Sequence, residues 1–212
     1  MIDSNILEYS KLEPLNVSRE TFPELEEFRS MLLEKNKEIN LISEASEKNL
    51  RQRHIIDSAQ IIDFIDENDK LCTDIGSGSG LPGIVLAIIM KQKKPSMKFN
   101  LYEKSFHKSQ FLKNVSKKLN LNTKIYQKDI FQERNLKSDL IVARAFKPLP
   151  IILDLVNANF KNFKSLILFL GKNKKEMLLE GLRNWQFEYK VKISLTSKES
   201  SIIKIYNLKK KT

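Results

Sequence analysis

Four of the six glycines in this 212-residue chain fall within eight residues, Gly76, Gly78, Gly80 and Gly83, in the run Asp74-Ile75-Gly76-Ser77-Gly78-Ser79-Gly80-Leu81-Pro82-Gly83. Glycine weakens strands and helices, so a chain this poor in it gathers it where backbone must take unusual dihedrals or lie against a ligand. Lys70-Leu71-Cys72-Thr73-Asp74-Ile75 reads as a short strand and Leu81 to Met90 as a largely buried helix. The glycines are thus a strand-to-helix turn, the context in which backbone N–H groups cradle a nucleotide-type cofactor. Glu103 closes the next predicted strand, twenty residues after Gly83. A carboxylate there can accept both ribose hydroxyls, whether the sugar belongs to NAD or to S-adenosylmethionine.

The elements that must position this turn follow from hydrophobic spacing. Phe22, Leu25, Phe28, Met31, Leu32 and Leu33 recur at helical intervals, with Thr21 as cap and Pro23 in the first turn. A second helix is expected from Lys48 to Phe64 or Ile65, so residues 1–68 read as an N-terminal helical cap and residues 69–212 as the cofactor-binding domain. From Leu71 strands alternate with helices. Strands are expected at Met97 to Tyr102, Lys124 to Gln127, Asp139 to Ala143 and Ser165 to Leu170, and helices at Lys108 to Leu119, Ile151 to Phe160 and Lys174 to Trp185. That rhythm implies an α/β, doubly wound, mostly parallel sheet. Phe187 to Leu195 and Ser201 to Leu208 leave no room for a helix between them and read as an antiparallel hairpin at the sheet edge.

The terminal hairpin and the acidic residue ahead of the glycines favour a class I methyltransferase over a nicotinamide-dependent oxidoreductase, which stays open at this point with a non-catalytic RNA-binding protein. The fourth expected strand is followed by Ala143-Arg144-Ala145-Phe146-Lys147-Pro148, which lacks the Asn or Asp, two prolines and aromatic used to alkylate exocyclic amines. Cys72, inside the first strand, reads as an inert core residue rather than a nucleophile. The acceptor is then an atom already nucleophilic at neutral pH, and guanine N7 fits. Such an attack needs alignment and exclusion of water but no general base, so no catalytic residue is expected.

Thirty-seven Lys and Arg against twenty-six Asp and Glu give a formal charge of +11, which suits a polyanionic partner such as nucleic acid and equally a lysine-rich solvated surface. Arg51, Arg53, Lys104, Lys108 and Lys147 are candidate phosphate contacts. The longest apolar stretch, broken by Pro82 and Gly83, is too short to cross a bilayer, and no membrane role is expected. Met1-Ile2-Asp3-Ser4-Asn5 lacks the pattern of a signal peptide, and one Cys permits no intramolecular disulfide, so a cytoplasmic protein is expected. His54 and Asp57 lie three apart, but no second His or Cys completes a metal site, and His54 reads as a structural histidine hydrogen-bonded beneath the glycine turn. His107 reads as a surface residue at a helix start.

Four separated motifs carry a family resemblance: Asn36-Lys37-Glu38-Ile39-Asn40-Leu41, Arg53-His54-Ile55-Ile56-Asp57-Ser58, Asp74 to Ile84, and Ala143-Arg144-Ala145-Phe146. Over nearly its whole length the chain resembles the RsmG (GidB) family of bacterial 16S ribosomal RNA guanine-N7 methyltransferases. It departs from the family pattern at Lys35, where a Trp is usual, and at Gly171-Lys172, where the order is usually reversed. The resemblance implies S-adenosyl-L-methionine as cofactor, and 16S ribosomal RNA or the small ribosomal subunit as partner. It places the cofactor on Gly76 and Leu81, on Ile130 and Phe131, and on Arg144; Gly78, Glu103 and Asp129 complete the expected set. Arg144 is expected to face the crevice rather than to make a surface ion pair. A monomer is expected.

Overall fold

The computed structural model describes residues 9–211, so the opening five residues on which the signal-peptide expectation rests lie outside the described residues. Seven strands form the main sheet: Leu71–Ile75 (β1), Lys98–Tyr102 (β2), Thr123–Tyr126 (β3), Leu140–Ala143 (β5), Ser165–Leu170 (β7), Trp185–Ile193 (β8) and Ser201–Lys210 (β9). Their order is β3-β2-β1-β5-β7-β9-β8. β1, β2, β3, β5 and β7 run parallel, and β9 is antiparallel to both β7 and β8. The expected doubly wound sheet with a terminal hairpin is therefore present. Missing from the sequence reading was a small parallel pair, Leu136–Lys137 (β4) with Phe160–Asn162 (β6). Two- and three-residue strands carry too little periodicity to be read from sequence alone.

β1, β5 and β7 are nearly continuous apolar runs because helices cover both faces of the sheet. One face packs Phe22–Asn36 (α1), Gly83–Lys93 (α2) and Phe106–Lys118 (α3), through residues such as Leu25, Ile88 and Leu112. Leu149–Asn159 (α4) covers the other, with Leu153 and Val156 beside Trp185, and Lys174–Asn184 (α5) packs against α4. Residues 83–90 of α2 are all buried, since this helix lies between the sheet and α1. Each such Ile or Leu contributes roughly 1.5–3 kcal/mol by leaving water.

The second expected cap helix is less regular than its spacing implied. Residues 51–64 form one helical path that opens with a π-type stretch, Arg51–Ile56, passes through Asp57–Ala59 and tightens to a 3₁₀ end, Gln60–Phe64. A wide turn of this kind shifts the side chains that follow relative to a regular helix, and such turns are common beside functional sites. Here it aims His54 and Asp57 toward the carboxyl ends of the strands.

Candidate active site

A cleft of about 720 Å³ opens at the carboxyl ends of the parallel strands. It is lined by the turn after β1, by Glu103 and Lys104 after β2, by Asp129, Ile130 and Phe131 after β3, and by Arg144 to Lys147 after β5. β1 has β2 on one side and β5 on the other, so the strand order reverses at the glycine turn. Ligands in open α/β sheets bind at such a reversal.

Asp74 builds the turn from below. It is fully buried, and one carboxylate oxygen accepts from Ser77 Oγ (2.5 Å) and from the Gly83 amide (2.9 Å). Burial raises its pKa to about 6, more than those two hydrogen bonds lower it. A Cβ at Gly83 would lie 2.5 Å from that carboxylate, which accounts for the glycine. Gly76 sits at φ +71°, and a Cβ there would meet the Phe146 ring at 2.1 Å. Phe146 closes over the turn from the β5 side and stacks on Phe131, with centroids 5.9 Å apart.

Glu103 is 8% exposed at the end of β2. Its Oε2 accepts from the Gly78 amide (2.9 Å) and its Oε1 from the Ser105 amide (2.7 Å). The carboxylate thereby fixes the height of the glycine turn, and each oxygen keeps a lone pair for a ribose hydroxyl. Asp129 Oδ1 accepts from the Phe131 amide (3.1 Å), shaping the short turn Ile130–Gln132. Ile130 is buried in the core with one edge on the cleft, while Phe131 is 37% exposed at its mouth. All eight expected cofactor residues, Gly76, Gly78, Leu81, Glu103, Asp129, Ile130, Phe131 and Arg144, border this one cleft. A carboxylate at the end of the second strand and a turn whose Gly78 would meet nothing nearer than 3.8 Å if it carried a Cβ fit S-adenosylmethionine.

Arg144 does more than line the cleft. Its Nη2 lies 3.0 Å from Asp57 Oδ2 and donates to the Arg53 carbonyl (2.5 Å), and its Nη1 donates to the His54 carbonyl and to Ser58 Oγ. The side chain is 16% exposed, so this is a buried ion pair and not the surface pair weighed from sequence. Burial pulls the guanidinium pKa down, and Asp57 opposes that pull. Asp57 Oδ1 accepts in turn from Gln60 Nε2, Ser194 Oγ and Thr196 Oγ1 at 2.6, 2.8 and 2.9 Å. One carboxylate thus ties the cap, the end of β5 and the loop of the β8–β9 hairpin together.

The cap supplies a wall that the sequence reading did not assign to the site: Leu41, Ile42, Ser43, Ser46 and His54 all face the cleft. Asn36 holds it, its Oδ1 accepting from the amides of Leu41 (2.7 Å) and Ile42 (2.9 Å) while its Nδ2 donates to Glu47. The motif beginning at Asn36 was the available signal. His54 is not the hydrogen-bonded structural residue expected: its Nε2 is buried without a partner. Burial, with Arg144 and Arg53 nearby, lowers its pKa to about 4, so it is neutral at physiological pH. Arg51 is likewise no ready phosphate contact, since its guanidinium grips both oxygens of Glu26 at 2.6 and 2.8 Å. Cys72 is buried and its thiol pKa is raised, in keeping with a core role.

A family model described as GidB, rRNA small subunit methyltransferase G, matches residues 21–206. A protein of that name from Pelagibacter ubique is 52% identical over 205 residues, covering 96% of each chain. Another from Rickettsia conorii is 35% identical over 196 residues, covering 92% of this chain and 98% of the relative. Among solved structures, the 16S rRNA methylase RmtB superposes with a TM-score of 0.53 at 15% identity, covering 92% of this chain and 76% of that one. A mutant of MtNAS in complex with S-adenosylmethionine gives 0.56 at 12% identity, covering 86% and 74%. At those identities the two structures speak for the fold.

Proposed function

Because the chain belongs to the GidB family, rRNA small subunit methyltransferase G, we propose that it places the methyl group of S-adenosyl-L-methionine on N7 of a guanine in 16S ribosomal RNA. It is an S-adenosylmethionine-dependent rRNA methyltransferase; the acceptor atom and the residue roles are the proposed part. The observation that carries the acceptor is how the acids and bases of the cleft are committed. Glu103 and Asp129 accept backbone amides, Arg144 is paired with Asp57, and the orphaned Nε2 of His54 is buried. None of these is poised to remove a proton, which suits an acceptor whose lone pair is already free.

When bound, S-adenosyl-L-methionine supplies a sulfonium methyl open to in-line displacement. Glu103 would take the ribose hydroxyls, and Gly76, Gly78 and Leu81 would seat the methionine end. Asp129, Ile130 and Phe131 would border the adenine. Arg144 acts by holding the cap wall of residues 41–54 over the cleft, which narrows the acceptor's approach and keeps water out. In this reading residues 69–212 form the cofactor-binding domain, residues 1–68 cap it, and the protein works in the cytoplasm as a monomer without a metal. No helix among the described residues is long and apolar enough to cross a membrane.

Mass spectrometry of 16S rRNA nucleosides from cells with and without the protein tests the acceptor. Loss of 7-methylguanosine is expected in its absence, and unchanged content would reject the assignment.

A further inference from the structure

Eight large apolar side chains among the described residues are exposed. Five of them, Leu179, Tyr189, Val191, Ile193 and Leu195, lie on α5 and the β8–β9 hairpin. Of the other three, two border the cleft and the third stands beside it in sequence. Phe131 and Ile151 line it, and Phe106 stands on the first turn of α3 between Lys104 and Lys108, which line it too. Phe106 is 56% exposed, although the buried face of the same helix, Ser109, Phe111, Leu112 and Val115, is well packed. Its recorded ring contact is an edge-on one with His107 at 5.5 Å.

The charges around it are also uncommitted. Lys104, Lys108 and Lys147, at the cleft, have no ion pair among the described residues. An exposed aromatic beside unpaired lysines is the arrangement by which proteins hold a single strand of nucleic acid: bases stack on the ring, and the cations follow the phosphates. The chemistry requires such a strand. In an A-form duplex guanine N7 lies in the deep, narrow groove that side chains cannot read, so the acceptor base must be presented outside a regular duplex.

We propose that Phe106 is the stacking platform for an unpaired nucleotide flanking the acceptor guanine, with Lys104 and Lys108 taking the adjoining phosphates. The proposal rests on the rRNA methyltransferase reading of the cleft. It accounts for a large aromatic left in water on the first turn of a helix that buries its other apolar side chains.

The test uses the full chain and a short oligoribonucleotide carrying 2-aminopurine, single-stranded or annealed to its complement. Wild-type protein is expected to bind the single strand more tightly and to quench the probe by stacking. Phe106→Ala should weaken single-strand binding about tenfold or more and abolish the quenching. Phe106→Trp should restore both, and both variants should bind S-adenosylmethionine like the wild type in calorimetric titration. Wild-type binding and quenching by Phe106→Ala would overturn the proposal. So would a loss confined to the assembled small subunit, which would put a ribosomal protein against the ring. Failure of the wild type to bind S-adenosylmethionine would count against the methyltransferase reading instead, and Phe106-dependent quenching in that same protein would then uphold single-strand stacking on the ring but overturn its place beside an acceptor guanine.

Discussion

Arg144 Nη2 lies 3.0 Å from Asp57 Oδ2, and through this pair the end of a central sheet strand grips the helical cap that walls the cleft. The two residues are 87 positions apart in sequence, and Asp57 itself extends the link by accepting from Ser194 and Thr196 in the terminal hairpin loop. A cleft-lining arginine and a structural arginine are here the same side chain.

Asp57→Ala would leave that guanidinium buried and uncompensated, at an expected cost of about 3–5 kcal/mol in urea unfolding. Replacing both partners, as in Asp57→Ala with Arg144→Met, should be milder than the sum of the two single losses. Additive losses would mean that the pair is not coupled.

Glu103 holds two backbone amides and borders the cleft, and its proposed role is to take the ribose hydroxyls. Glu103→Ala should weaken S-adenosylmethionine binding about 10–100-fold, as expected for losing hydrogen bonds to a charged acceptor. Calorimetry reads the affinity directly. Turnover at saturating cofactor should change far less than affinity does.

Gly76→Ala meets two obstacles, the left-handed φ of +71° and the Phe146 ring 2.1 Å from the new Cβ. Phe146→Ala removes only the second. The double variant should therefore recover part of the lost cofactor affinity while keeping a deficit of about 1–2 kcal/mol from the backbone conformation. Equal affinity in Gly76→Ala and the double variant would exclude the steric account.

Asp74 sets a pH dependence of stability. Its folded pKa of about 6 lies above the ordinary 3.8, so the folded state keeps a proton that the unfolded chain has released. The resulting stabilisation is complete below about pH 4 and is lost as pH rises to about 6, up to about 3 kcal/mol in all. In Asp74→Asn, whose amide oxygen can still accept from both the Gly83 amide and Ser77 Oγ, urea unfolding should lose this slope. An unaltered slope would assign it to another group.

The periodicity of the chain sufficed for the sheet, its helices and its terminal hairpin, because burying both faces of parallel strands forces long apolar runs that are visible residue by residue. The glycine turn was equally legible. Its peculiar backbone needs a residue type that the rest of the chain avoids, and Asp74 and Glu103 stand at fixed offsets from it. Tertiary structure decided what those offsets could not. It set Asp57 against Arg144, turned His54 into the cleft without a partner for Nε2, committed Arg51 to Glu26, and brought Leu41 and Ile42 to the cleft from a loop whose own spacing marks no helix or strand. Local spacing specifies how a segment buries its own face. Which charge meets which across 87 residues depends on how the finished layers pack, and that exists only once the chain has folded.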